Sequence, residues 1–124
     1  GGLRPAGRTR GTVVARYVPE RGDVVWLDFS PTKGHEQSGH RPALVLSPAS
    51  YNTRSGLMLC CPITSKVKPY PFVVPILGDS NVAGVALADQ VRSMDWQARK
   101  IVKKGQVAEH TLREVLGRAA ALLS

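Results

Sequence analysis

Short apolar stretches alternate with polar stretches that contain Gly and Pro along most of the chain. The apolar stretches have the length of β-strands and stop at turn-forming residues. They predict five strands, at residues 24–29, 43–47, 57–63, 72–77 and 85–91, and residues 100–103 form a sixth, weaker candidate. The run at 43–47 lies between prolines and is almost wholly apolar, which is typical of a strand buried on both faces.

Two prolines interrupt this strand pattern. Pro62 predicts a break near the end of the third strand, and Pro75 lies inside the fourth. Because proline cannot donate a hydrogen bond to a neighbouring strand, the fourth strand is expected at a sheet edge or a bulge. Residues 49–56 form a connection with room for one helical turn.

The pattern changes to a helical period near the end of the chain. Apolar residues recur three and four positions apart, which predicts an amphipathic C-terminal helix; they are Leu112, Val115, Leu116, Ala119, Leu122 and Leu123. Thr111 and Glu114 have the spacing of a capping box, although the helix could also begin at Ala108 or Glu109. Gly117 weakens the helix by about 1 kcal/mol relative to alanine. Strands without intervening helices, closed by one helix, predict a mainly β fold, a small barrel of five to six strands.

Chain length and the distribution of charge predict how the chain is divided. The chain has 124 residues, 43% of them hydrophobic, which suits one globular domain at residues 17–124. Residues 1–16 contain four arginines and no acid, and we interpret them as a flexible basic tail or a remnant of expression, with a nucleic-acid-gripping arm as the alternative. No apolar run reaches the length of a membrane span, so we expect a cytoplasmic protein. The net charge of +8 favours polyanionic partners but does not distinguish RNA, DNA and acidic proteins.

The two cysteines, Cys60 and Cys61, are adjacent in a predicted strand. Neighbouring strand residues point to opposite faces, so the pair would make a poor metal site and a strained disulfide. We interpret both as small apolar residues in a reducing compartment.

The polar residues with catalytic potential are concentrated in residues 34–48, GHEQSGHRPALVLSP. The segment supplies a cation, a carboxylate and two imidazoles, in Arg41, Glu36, His35 and His40. Such a set suits metal-free transphosphorylation of RNA, in which a base deprotonates the 2′-hydroxyl, a cation stabilises the phosphorane and an acid protonates the leaving oxygen. The sequence has no glycine-rich phosphate loop, HExxH or GxSxG motif, although Ser/His/Asp hydrolysis stays open. We expect neither a metal nor a cofactor.

Each of these residues also has an ordinary structural role as an alternative. Arg41 could bond loop carbonyls, the loop histidines and Glu36 could be solvated, and Thr64 could simply end a strand. Exposed lysines are usually solvated as well, and Trp26 and Phe29 are more often core residues than stacking platforms.

From Tyr17 to Leu123 the chain resembles the MazF/PemK/Kid family of toxin ribonucleases, and its MazF branch in particular. The resemblance is carried by RGDVVWLDFSPTKGHEQSGHRPALVLSP, PITS at 62–65, YPF at 70–72, GVALADQVRSMDW at 84–96 and KKGQV at 103–107. It implies an SH3-like or CcdB-like barrel that forms a homodimer and cuts single-stranded mRNA at short sequence motifs. It also implies metal-independent cleavage to 2′,3′-cyclic phosphate and 5′-hydroxyl ends, inhibition of translation and growth, and an acidic MazE-like antitoxin that covers the same groove.

The resemblance assigns roles to individual residues. Arg41 would stabilise the phosphorane and Thr64 would position a phosphate oxygen. Glu36 would be the base or orient it, with His35 as an auxiliary group and Asp89 as a third candidate. The Kid branch uses an arginine where this chain has Leu87, which favours the MazF arrangement. The residues implied in RNA binding are Phe29, Lys33, Gln37, His40, Lys66, Asp89 and Gln90.

Two other functions remain as alternatives on the same barrel. Gyrase-poisoning toxins of similar fold act through a Trp-Gly-Ile ending, whereas this sequence ends with Leu122, Leu123 and Ser124, which disfavours that mechanism. A module that only binds RNA would show affinity without cleavage. The recognised RNA motif depends on loop geometry and is not predicted by the sequence.

Overall fold

Strands dominate the part of the chain that the computed structural model describes, namely residues 17–29, 39–66, 70–76 and 82–124. The elements there are β1 (Asp23–Asp28), β2 (His40–Val45), α1 (Ala49–Ser55), β3 (Leu57–Thr64), β4 (Val73–Pro75), β5 (Val85–Leu87), β6 (Arg92–Asp95), β7 (Val102–Gln106) and α2 (Glu109–Ala121). The predicted mainly β class with a C-terminal helix is confirmed. The predicted tail at residues 1–16 lies outside the described residues.

All strand pairs are antiparallel, and β3 organises the sheet. The strand order is β4-β5-β3-β2-β1-β7, and β6 pairs with the other end of β3. The sheet curves into a barrel-like shape that is not closed. It has seven strands rather than five to six. The additional strand, β6, escapes the sequence pattern because it is four residues long and buries only Met94.

Several strand boundaries differ from the predictions for a local reason. Pro62 does not break β3. It pairs with Ala43 at the end of the β2–β3 ladder, and the next two residues, Ile63 and Thr64, pair with β5 instead. Pro75 lies in the edge strand β4, which confirms the edge assignment. Gly105 lies within β7, beside a register shift in the pairing of β7 with β1.

Helix α1 has seven residues and is held by a buried side chain. The Asn52 amide donates hydrogen bonds to the carbonyl oxygens of Pro19 (2.7 Å) and Ser47 (3.0 Å). The Ser47 hydroxyl donates to Asn52 Oδ1 (2.5 Å), and the Trp96 indole donates to the Asn52 carbonyl (2.9 Å). Asn52 therefore joins α1 to three other segments, and the connection is more structured than the single turn expected from the sequence.

Two apolar clusters lie on opposite faces of the central strands, because alternate residues of each strand enter different clusters. The helix-covered cluster packs against α2; its buried members are Val24, Leu44, Leu46, Cys61, Ile63, Val74, Ala86, Ala88 and Val115. The Phe29 cluster lies on the other face and consists of Val25, Leu27, Phe29, Ala43, Val45, Met58, Cys60, Met94 and Trp96.

The cysteines confirm this alternation. Cys61 belongs to the helix-covered cluster and Cys60 to the Phe29 cluster, and both are buried and free. Burial raises the pKa of the Cys60 thiol to about 12 and raises that of Cys61 further. Both thiols are therefore protonated and unreactive at neutral pH, as expected for apolar strand residues.

Helix α2 begins after Ala108, which provides no side-chain cap. Thr111 is its third residue and is buried, so the predicted capping box with Glu114 is wrong. The apolar stripe is correct through Leu116, which packs against the same cluster as the fully buried Val115. Leu122 and Leu123 lie beyond the helix and are 51% and 89% exposed. Among the described residues, no helix is long and apolar enough to cross a membrane.

Candidate active site

Arg41 lies at the start of β2, on the face of the sheet that carries the Phe29 cluster. It pairs with Leu27 of β1, and the alternation of β2 places it on the same face as Ala43 and Val45. The side chain is half-buried, whereas the two residues that follow it on this face are fully buried. The guanidinium is thus at the rim of the apolar cluster, where it is anchored by a strand and still accessible.

Thr64 ends β3 on the same face as Arg41. Ala43 pairs with Pro62, so the alternation of β3 puts Thr64 on the face of Ala43 and hence of Arg41. Thr64 is only 6% exposed, and its hydroxyl oxygen accepts a hydrogen bond from the Lys66 amide (3.2 Å). That bond orients the hydroxyl group, whose proton stays available to a phosphate oxygen.

Gly84, directly before β5, packs closely against Thr64. A Cβ atom at Gly84 would lie 2.5 Å from the Thr64 carbonyl oxygen, and the Gly84 φ is +142°. Both the close approach and the backbone conformation require glycine. Gly84 was not predicted as a site residue, because a single glycine before a strand is an ordinary turn signal; only the close packing shows its role.

His40 lies on the opposite face of β2 from Arg41. Its ring stacks on Trp26 with centroids 6.2 Å apart, and its Nε2 is 4.0 Å from an Asp28 carboxylate oxygen. Trp26 is 39% exposed, so it is a surface aromatic rather than the core residue that its type suggests. The structure therefore brings His40 to the rim but not to the face of Arg41 and Thr64.

Asp89 and Gln90, both predicted to bind RNA, follow β5. The Tyr70 hydroxyl donates to Asp89 Oδ2 (2.7 Å), and this bond raises the pKa of Tyr70. Asp89 Oδ1 is buried without a hydrogen-bond partner among the described residues. The Gln90 side chain is half-buried, and Leu87, at the position of the Kid-branch arginine, is buried.

Phe29 differs from the other predicted RNA-binding residues that the structure describes. It has no exposed surface and forms part of the apolar cluster named after it. The guanidinium carbon of Arg92 lies 5.6 Å from the centroid of its ring. In this structure Phe29 therefore supports the site from below and offers no ring face to a base, in agreement with the core role that its residue type favours.

The remaining predicted site residues divide into two groups. Lys66 is exposed two residues after Thr64. His35, Glu36, Lys33 and Gln37 lie outside the described residues, so the predicted base is not among the groups whose positions are known. What the described site offers is an arginine and a threonine hydroxyl on one face, which together can hold the oxygens of a phosphate.

A curved antiparallel sheet with a C-terminal helix, and an arginine and a threonine on one face, agree with a known class of small toxins. The chain belongs to the PemK-like, MazF-like toxins of type II toxin–antitoxin systems, because the model of that family matches residues 20–123. The resemblance inferred from the sequence is thereby confirmed.

Individual relatives agree over nearly their whole length. The endoribonuclease toxin MazF of Escherichia coli K12 is 51% identical over 111 residues, which cover 90% of this chain and 99% of the relative. The crystal structure of MazF from Deinococcus radiodurans superposes with a TM-score of 0.83 at 50% identity, covering 87% of this chain and 98% of that one. A MazE–MazF complex from the same organism matches with a TM-score of 0.76 at 45% identity, over 87% of this chain and 97% of that one.

Proposed function

We propose that this protein is a toxin endoribonuclease that cuts single-stranded mRNA at specific sequences and so inhibits translation and growth in the cytoplasm. The observation that carries the proposal is the placement of Arg41 and Thr64 on one face at the rim of the Phe29 cluster. The 51% identity with an Escherichia coli endoribonuclease toxin supports it.

The proposed reaction is an in-line transphosphorylation that needs no metal. The 2′-oxygen forms a bond to phosphorus, the bond from phosphorus to the 5′-oxygen breaks, and the products are a 2′,3′-cyclic phosphate and a 5′-hydroxyl. The Arg41 guanidinium offsets the charge that develops on the phosphorane, and the Thr64 hydroxyl holds one of its oxygens. The proton of the 2′-hydroxyl goes to a base, and the leaving 5′-oxygen takes up a proton from an acid.

Glu36 is the base that we favour, with His35 as an auxiliary group. Asp89, the third candidate, already accepts a hydrogen bond from Tyr70 on one carboxylate oxygen. One of its two carboxylate oxygens is therefore already engaged by the Tyr70 hydroxyl. Asp89 fits better as an RNA-binding residue, together with Gln90, Lys66 and His40 of the described part and with Lys33 and Gln37.

We also propose a cognate acidic MazE-like antitoxin that covers the same surface. The related MazF of Deinococcus radiodurans was crystallised with MazE. The net charge of +8 gives this chain a basic surface that either RNA or an acidic peptide can neutralise.

An exposed apolar groove supports a homodimer. Four exposed apolar side chains line the groove: Leu59 (39% exposed), Val91 (39%), Leu122 (51%) and Leu123 (89%). Exposed apolar patches of this kind mark protein interfaces in proteins that otherwise bury such residues. Leu59→Glu is expected to convert a dimer to a monomer in light scattering; a wild-type protein that is already monomeric would contradict this proposal.

The central test uses an unstructured RNA transcript in EDTA, with sequencing of the 5′ ends of the products. We expect discrete cuts that leave 5′-hydroxyl ends, and a 2′-deoxy substitution at one cut site should block that cut alone. Cleavage that requires added Mg²⁺, or cleavage of the deoxy-substituted site, would contradict the proposed reaction. A gyrase supercoiling assay on the same sample tests the alternative toxin mechanism, for which we expect no effect.

A further inference from the structure

Arg92 is a charged residue on the site face to which the proposed reaction gives no role. It begins β6 and pairs with Cys60 of β3, which belongs to the Phe29 cluster. Paired residues of neighbouring strands lie on the same face, so Arg92 is on the face of Arg41 and Thr64. Its guanidinium carbon is 5.6 Å from the centroid of the Phe29 ring.

The Arg92 guanidinium has an unused donor. Its Nη1 is buried and has no hydrogen-bond partner within the part of the chain that is described. Few buried donors in native proteins lack an acceptor, because desolvation of the group is then not compensated. Such a donor points to an acceptor that the described part of the chain does not supply.

Other arginines show how this chain uses the residue for purely structural purposes. Arg21 Nε donates to the Leu46 carbonyl (2.7 Å), and Arg99 Nη1 donates to the Asp28 carbonyl. Arg118 likewise donates to the Pro71 carbonyl. Each of these side chains closes a contact between distant segments. Arg92 Nη1 does not, so the stacking on Phe29 fixes the position of the guanidinium without using this nitrogen.

Phe29 lies next to Arg41 as well as beneath Arg92. Arg41 pairs with Leu27, and Phe29 directly follows β1, two residues beyond Leu27 and in the same cluster. The buried ring therefore lies beneath Arg92 and diagonally across from Arg41 on the same face. An RNA strand that Arg41 holds by its reacting phosphate would present further phosphates to this face, where Arg92 lies.

We propose that Arg92 is a second phosphate-binding residue of the site and holds a phosphate next to the one that reacts. The inference rests on the proposed endoribonuclease function. A guanidinium fork binds phosphate and carboxylate equally well in geometry. The shared face with Arg41 and Thr64 favours an RNA phosphate over a carboxylate of an acidic peptide.

The test measures binding of an RNA with a 2′-deoxy nucleotide at a mapped cut site, as a function of KCl concentration. Each phosphate contact to a single strand contributes about 0.7 to the slope of log K against log salt. We expect Arg92→Gln to lower the slope by about that amount and to weaken binding about tenfold or more. The matched control is Arg113→Gln, which removes the same charge from an exposed position on α2 and should change neither quantity.

Arg92→Lys makes the test independent of whether Arg92→Gln folds. Lysine keeps the charge but loses the fork, so we expect the wild-type slope with binding several-fold weaker. Wild-type slope and affinity in Arg92→Gln, or unchanged affinity in Arg92→Lys, would overturn the inference. So would a loss of poly-L-glutamate binding with RNA binding intact, which would assign Arg92 to an acidic partner.

Cleavage of the all-ribose transcript is measured in the same series. If the wild-type protein leaves it intact, the proposed function itself has failed. If the wild-type protein cuts and Arg92→Gln binds and cuts equally well, only the role of Arg92 is wrong.

Discussion

The two faces of the central strands carry equally buried apolar clusters, but different groups border the two clusters. The helix-covered cluster is completed by Val115 of α2, and an apolar helix face lies over it. The Phe29 cluster instead has arginines on its face, Arg41 on β2 and Arg92 on β6. Alternate residues of the same strands thus serve stability on one face and hold charged groups on the other. A rigid strand places a catalytic side chain more accurately than a loop does.

The strongest test of this comparison is Arg41→Ala. Loss of one group that stabilises transition-state charge costs about 2.7–4 kcal/mol, so RNA cleavage should fall by about a hundredfold to a thousandfold. The free energy of unfolding should change by no more than about 0.5 kcal/mol, since the half-buried side chain is at the rim. Single-turnover cleavage and urea unfolding measure the two quantities.

Arg54→Ala is the matched control, because Arg54 is exposed in the last turn of α1. It should retain wild-type activity. An Arg41→Ala protein that is fully folded and cuts RNA at the wild-type rate would remove the distinction between the two faces.

Gly84→Ala should be the next largest change. Its Cβ would lie 2.5 Å from the Thr64 carbonyl oxygen, at a φ of +142° that alanine rarely adopts. We expect a loss of about 1–3 kcal/mol in the free energy of unfolding, typical of overpacking. RNA cleavage should fall as well, because relief of the clash moves Thr64. A stable, fully active variant would show that the position of Thr64 is not critical.

The cysteines test whether both clusters are dry. The pKa of Cys60 is raised to about 12, so the folded state keeps the proton that the unfolded chain releases near pH 9. Stability from this thiol is complete below pH 9 and is lost as the pH rises from 9 to 12, by about 1.4 kcal/mol per pH unit. Urea unfolding at pH 8, 9 and 10 should show this decline, and Cys60→Ala should make it shallower.

Cys61→Ala should have a similar effect from the helix-covered side, since the pKa of Cys61 is raised in the same direction. If Cys60→Ala left the pH dependence unchanged while Cys61→Ala reduced it, water would reach the Phe29 cluster, and the two clusters would differ in their interior as well as at their ends.

The smallest predicted effect is a gain in stability. A Cβ at Gly117 of α2 would meet no atom within 4 Å. Alanine is favoured over glycine in a helix, so Gly117→Ala should raise the free energy of unfolding by about 0.5–1 kcal/mol. RNA cleavage should be unchanged, in contrast to the same substitution at Gly84. A loss of stability would mean that α2 does not tolerate even one added methyl group.

Most of the fold could be predicted from the sequence because apolar runs dominate it. The strand at 43–47 and the face of α2 are recognisable from hydrophobic periodicity alone. Strand β6 is not, since it is short, polar and paired through its backbone to β3. The end of β3 was missed for a related reason: whether Pro62 breaks a strand depends on whether a neighbouring strand needs a backbone N–H at that position, and neighbours are set by tertiary structure.

The site was predictable only in part. Arg41 was a candidate from its chemistry alone, Thr64 was identified by resemblance to a toxin family, and the sheet places both on one face. Arg92 and Gly84 were missed, because the orphaned guanidinium nitrogen and the 2.5 Å approach exist only in three dimensions. The resemblance implied RNA binding by Phe29, whereas residue type favoured a core role; the ring is buried, which only the three-dimensional structure reveals.

The buried amide of Asn52 has a practical consequence for genetics. Expression of a growth-arresting protein selects for colonies that survive, and every mutation that inactivates the protein allows survival. Because the buried Asn52 side chain secures the segments of Pro19 and Ser47, substitutions of Asn52 should appear among the survivors alongside true chemical knockouts. Survivors therefore need an assay of soluble protein before any of them is taken to mark the catalytic machinery.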